Sequence, residues 1–250
     1  MSLQVYNLNT AEKEKLKKGI AASLSIPLID SLEDFIWEAV FCYTKGIQLV
    51  DPLFDIRSKL LFDIVQTNTS VGWSAKSLQC AVRPNLEFEL VIQRADVFKK
   101  RAELGFPHLS LDSSPDEIGE ALITHWHKKI NEDAITQGVT DTRICVLLKK
   151  PDNSKFAYME EELAVYSPNE LRWEWTNDAS KTGLRAFRQR DDFCVYRWYP
   201  NQKQFFERFK LPENTFIFDL DIVRLELDSV IEMLYSQLQD IQKSSEQDDT

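Results

Sequence analysis

The segment Arg143–Lys149, RICVLLK, constrains this chain more than any other. Its interior is an unbroken apolar run with no alternation. Such a run suits a strand in a sheet whose two faces are both covered, which calls for helices beside it. Two helical patterns are available. Ser31 reads as the cap of one, with Glu33 and Asp34 in its first turn, where the helix dipole favours anions. Phe35, Ile36, Ala39, Val40 and Tyr43 form its apolar stripe, and Lys45-Gly46 ends it. Ser114-Pro115-Asp116-Glu117 opens a second, longer helix running to about Gln137 and ending at Gly138, with Pro115 at the first helical position. Between them three strands are expected, at about Lys59–Gln66, Val71–Val82 and Leu86–Gln93. TNTS joins the first two, and Arg83-Pro84-Asn85 is the turn before the third.

Residues 31–150 thus read helix, three strands, helix, strand, an α/β core with a mixed sheet. Residues 1–30 add a Lys-rich surface helix from Thr10, its expected N-cap, to about Ser23. Residues 151–241 form a β-rich extension with strands at Phe156–Met159, Leu171–Trp175, Leu184–Arg188 and Phe193–Tyr199. A short helix is expected at Asn201–Phe209 and a last one at Asp228–Ile241, whose stripe is Ile231, Leu234, Leu238 and Ile241. That stripe is expected to dock on the core, pairing with a second subunit being the alternative. Residues 242–250 read as a frayed acidic tail.

Composition removes several classes. At 250 residues the chain can bury a full core without staples, and 43% hydrophobic with 28% charged residues is the balance of a soluble globular protein. No apolar run reaches the roughly 18 residues of a membrane span. The start, MSLQVYNLNT, has no basic region followed by an apolar stretch, so a cytoplasmic protein is expected. Cys42, Cys80, Cys145 and Cys194 lack CxxC spacing and read as buried free thiols. There is no Gly-rich phosphate loop, GxSxG elbow or HExxH. His125 and His127 stand at i and i+2 of a helix and point to different faces, so they are not read as a ligand pair.

The chemistry concentrates in Phe62–Ser77, FDIVQTNTSVGWSAKS. If its turn sets Val65 near Gly72, alternation along the strands brings Asp63 opposite Ser74 and puts Asp63, Ser74 and Lys76 on one face. An isolated buried carboxylate is too costly, so Asp63 must bind a metal, pair with an ammonium or serve a backbone amide. A lysine one pleat away can also stabilise charge developing on a phosphate.

An acid on one strand followed by an acid-x-Lys triplet on the next, in an αβββαβ order, resembles the PD-(D/E)xK nuclease superfamily, type II restriction endonucleases most of all. The resemblance covers about residues 31–149. It implies a restriction-endonuclease-like fold and hydrolysis of duplex DNA with Mg2+. It also implies Asp63 as first acid, Lys76 as catalytic lysine, and Glu38 as the glutamate that the family often takes from the preceding helix. Asp63 and Glu38 would be the metal ligands. The chain departs from the pattern by placing Ser74 where the second acid belongs. No proline precedes Asp63, and Asp51-Pro52 has the dipeptide reversed. A further ligand would then come from Glu38, Glu87 or Glu89, or from a backbone carbonyl. A palindromic target would call for a homodimer.

Net charge is −10, which by itself disfavours a polyanionic partner. Lys181–Lys210 runs against this, with eight basic residues and three acidic ones interleaved with aromatics. Arg185, Arg188, Arg190, Arg197, Gln202 and Lys203 there, and Arg94 after the third strand, are the expected DNA contacts. A solvated charged face is the plain alternative for each.

Overall fold

The structure, a computed structural model, describes residues 4–32, 34–49 and 60–248; Glu33, Asp51-Pro52 and Lys59 lie outside them. The chain is mixed α/β. Its elements run β1 (Val5–Tyr6), α1 (Thr10–Ser25), α2 (Asp34–Lys45), β2 (Ile64–Gln66), β3 (Val71–Gln79), β4 (Glu87–Arg94), α3 (Val97–Lys100), α4 (Pro115–Gln137) and β5 (Asp141–Lys149). They continue as β6 (Lys155–Glu162), β7 (Leu171–Trp175), β8 (Leu184–Arg188), β9 (Cys194–Tyr199), β10 (Gln204–Lys210), β11 (Phe216–Asp219) and α5 (Leu227–Asp248). No helix among the described residues is long and apolar enough to cross a membrane.

Local chemistry sets the helix ends. The cap of α1 is Asn9, one residue before the expected Thr10. Its side chain accepts from the Glu12 amide at 2.9 Å, and Glu12 accepts from the Asn9 amide at 2.8 Å. Ser114 caps α4, and Gly138 closes it in the left-handed conformation (φ 66°), which glycine adopts without strain.

Two sheets follow. The first is mixed, in the order β1-β6-β5-β3-β2 with β11 also on β6, and β3 and β5 run parallel at its centre. The second is antiparallel, in the order β4-β10-β9-β8-β7. Ile144–Leu148 is sealed on both faces, as its unbroken apolar run requires. On one face α1 and α2 pack Leu16, Ile20, Trp37 and Phe41 against Trp73, Ala75, Cys145 and Leu147. On the other, α4 joins Ile144, Val146 and Leu148 to the inner face of the antiparallel sheet in one larger core.

The structure corrects further expectations. The third strand, β4, leaves the mixed sheet: β2 and β5 occupy both edges of β3, so β4 pairs with β10 in the other sheet. Asn201–Phe209 is not helical. QFFERFK alternates with period two, burying Phe205, Glu207 and Phe209, and forms β10. The stripe of α5 does not dock: Ile231, Leu234, Leu238 and Ile241 are exposed, and the helix continues to Asp248 through most of the expected tail. Finally, residue 150 does not divide the sheets, since β6 beyond it completes the first and β4 before it belongs to the second. The cysteines are free, three of them buried and Cys80 half-buried.

Candidate functional site

The hairpin has the expected register. Ile64 faces Trp73 and Val65 faces Gly72, which sets Asp63 beside Ser74 at the mouth of the ladder. Side-chain volume drives this tightness: a Cβ on Gly72 would lie 2.7 Å from Val139 and 2.9 Å from Phe62. The approach to Asp63 is held from α4. Asp133 accepts from the Leu61 amide at 2.6 Å, and Gln137 donates to the Phe62 carbonyl at 2.8 Å.

Asp63 Oδ2 accepts both from the Ala75 amide at 2.9 Å and from Lys76 Nζ at 3.3 Å. Both structural roles weighed for this carboxylate, ion pair and amide acceptor, are therefore filled. Oδ1 has no hydrogen-bond partner among the described residues. Both side chains are about a third exposed or less, so the pair itself is worth at most about 1 kcal/mol.

Asp63 and Lys76 lie in a cleft of about 530 Å³, also lined by Gln93, Arg94, Lys100, Glu103, His125, Lys128, Lys129 and Glu132. His125, Lys128, Lys129 and Glu132 share one face of α4 through i, i+3, i+4 spacing. Lysine and arginine outnumber carboxylates in this lining by five to three, on a protein of net charge −10. Lys128 is paired with Glu103 and, at 3.8 Å, with Glu132, and Lys129 with Asp133 at 2.6 Å. Arg94 and Lys100 are exposed and make no ion pair among the described residues. Two further polar atoms of this lining, Gln93 Nε2 and His125 Nδ1, are buried without a partner. Burial, then the charge of Lys100, pulls the His125 imidazole down to about 4, so it is neutral at pH 7.

The other expected site residues fall elsewhere. Ser74 is 2% exposed, does not line the cleft and pairs across the sheet with Ile144. Glu38 belongs to α2, on the opposite face of the mixed sheet. Burial, then the charge of Glu38, pushes the Cys42 thiol up to about 11. Glu87 and Glu89 are on β4, where they pair with Arg208 at 3.1 Å and Arg197 at 3.3 Å. No group of three His, Cys, Asp or Glu side chains among the described residues is placed to hold a metal. These residues do not fit a preformed Mg2+ site: Asp63 alone of the two expected ligands reaches the cleft.

Of the seven expected DNA contacts only Arg94 lines the cleft. The others lie on the antiparallel sheet and its loops, largely neutralised. Arg185 pairs with Glu174 at 2.7 Å, Arg197 with Glu89, and Lys203 with Asp96 at 2.6 Å. Arg188 forks onto Asp191 at 2.8 and 3.0 Å, and Arg190 approaches the same carboxylate at 3.7 Å. Gln202 borders a separate concavity of about 300 Å³ with Arg185 and Arg197. The linear excess of positive charge disappears because acids from β4, β7 and the turns fold onto it. Conversely, the α4 residues of the cleft were hidden in the sequence, their helical spacing giving no reason to join them to a distant hairpin.

No family model matches this chain, and no curated protein or solved structure matches it either.

Proposed function

We propose that the cleft over the β2–β3 hairpin binds the phosphodiester backbone of duplex DNA, and that the chain is an endonuclease of the kind its hairpin resembles. The observation that carries this reading is the Asp63–Lys76 pair set in a cleft whose Arg94 and Lys100 make no ion pair among the described residues. Cations held at such a wall attract phosphates by neutralising them, and Lys76 lies where it can stabilise charge developing on one. Gln93 and the neutral His125 line the same wall.

A second reading keeps DNA and drops cleavage. It is favoured by Ser74 in place of the second acid and by Glu38 on the far face. One experiment ranks the two: plasmid and phage DNA are incubated with Mg2+ or Mn2+, alongside binding measured across salt. Discrete fragments from the wild type, absent for Asp63→Ala and Lys76→Ala, establish the nuclease. Binding that weakens steeply with salt and about tenfold in Arg94→Ala, without cleavage, leaves the second reading. Binding that ignores salt removes both.

A further inference from the structure

The last helix is an unused surface. Arg224 pins its base by donating to the carbonyls of Leu24 at 2.8 Å, Pro27 at 3.3 Å and Ile29, and the Leu225 amide donates to Ser25 at 2.9 Å. Val230 is 2% exposed and packs its side chain away from water. From Ile231 to Ile241 every side chain is exposed.

Five of the apolar positions there follow one spacing. Leu227, Ile231, Leu234, Leu238 and Ile241 are spaced four, three, four and three, the a/d repeat of a coiled-coil seam. Here the seam is flanked by Asp228 and Val230 at its base and by the uncharged Tyr235 and Gln237 further along, while Glu232 and Asp240 lie away from it. Between Ile231 and Ile241 a second copy would thus meet no like charge beside its seam, and Asp228, next to Leu227, is the one acid that flanks it.

The seam residues from Ile231 on are 53–64% exposed. With Leu227 they present on the order of 500 Å² of apolar surface, or about 1,000 Å² when two copies meet, which reaches the lower bound for a specific interface. We propose that α5 pairs with α5 of a second copy of this chain, making the protein a weak homodimer through a short coiled coil. This rests on the helix alone and holds whether or not the cleft binds DNA.

The test is light scattering of the full chain eluting from a sizing column, and sedimentation equilibrium, from about 1 to 100 µM. The wild type is expected to convert from monomer to dimer across that range. Leu234→Glu/Leu238→Glu should weaken association at least a hundredfold, with an unchanged melting temperature at the monomeric end, about 1 µM, since both side chains are more than half exposed. A wild type that stays monomeric at 100 µM overturns the proposal and leaves the seam to a different partner. A dimer that survives the double substitution overturns it equally, by placing the contact on another face.

Discussion

Two glutamates, one in each core, are sealed from water and solve the problem in opposite ways. Glu160 lies under α2 with no exposed surface and accepts from Trp73 Nε1 at 2.8 Å, Tyr158 Oη at 2.5 Å, Lys45 Nζ at 2.9 Å and Arg143 Nη1 at 3.0 Å. Burial opposes its ionisation, but the charge of Lys45 and those hydrogen bonds outweigh it, so its pKa falls below the usual range. Glu207, on β10, is 3% exposed, and its Oε2 has no partner. Burial, then the charge of Glu161, drives it far upward, and burial alone raises Glu161 to about 7 against the pull of Arg188. The same side chain is thus a structural anion on one side of the molecule and a neutral acid on the other. What differs is how many donors the neighbouring strands deliver.

The largest expected effect comes from breaking the satisfied site. Glu160→Ala leaves Lys45 and Arg143 facing a buried gap and is expected to cost about 3–5 kcal/mol in urea unfolding. A loss below about 1 kcal/mol would mean that the four contacts are not formed together.

Acidity separates the two sites more sharply. The lowered Glu160 contributes stability that is present above the ordinary carboxylate range and lost as pH falls through its folded pKa. The raised Glu161 and Glu207 contribute stability fully present below about 4.5 and lost as pH rises, for Glu161 between 4.5 and about 7. Glu207→Gln removes one of these losses. Its stability relative to wild type is therefore expected to grow between pH 5 and pH 8, by roughly 1–3 kcal/mol. A difference that stays flat with pH would show that Glu207 is ionised and satisfied after all.

The smallest effect belongs to the partly exposed pair in the cleft. Lys76→Ala is expected to change stability by less than about 1 kcal/mol while abolishing whatever the cleft does to phosphates. A large fall in melting temperature would instead make the lysine structural.

Much of the frame was legible from local pattern. The register of Val65 on Gly72, the Ser114 cap, the Gly138 stop and the sealed strand at Ile144–Leu148 all follow from side-chain alternation and backbone preference. What failed depended on distant partners. Nothing around Phe88 or Leu90 tells β4 that both edges of β3 will be taken. Nothing near Arg197 or Lys203 announces that Glu89 and Asp96, more than a hundred positions earlier by roughly the β4–β10 separation, will neutralise them. The cleft shows the same limit. Asp63 and Lys76 were visible through one turn, whereas His125 and Lys100 reach them only through tertiary packing.

The pairing of β4 with β10 also sets a clock. A ribosome adding about 5–20 residues each second finishes β4 several seconds before the strand that must lie beside it exists. Through that interval the hydrogen-bonding edge of β4 has no partner and is a template for other nascent chains. Slowed synthesis of residues 95–203 would lengthen the exposure, so the yield of soluble protein is tied to the speed at which its middle is made.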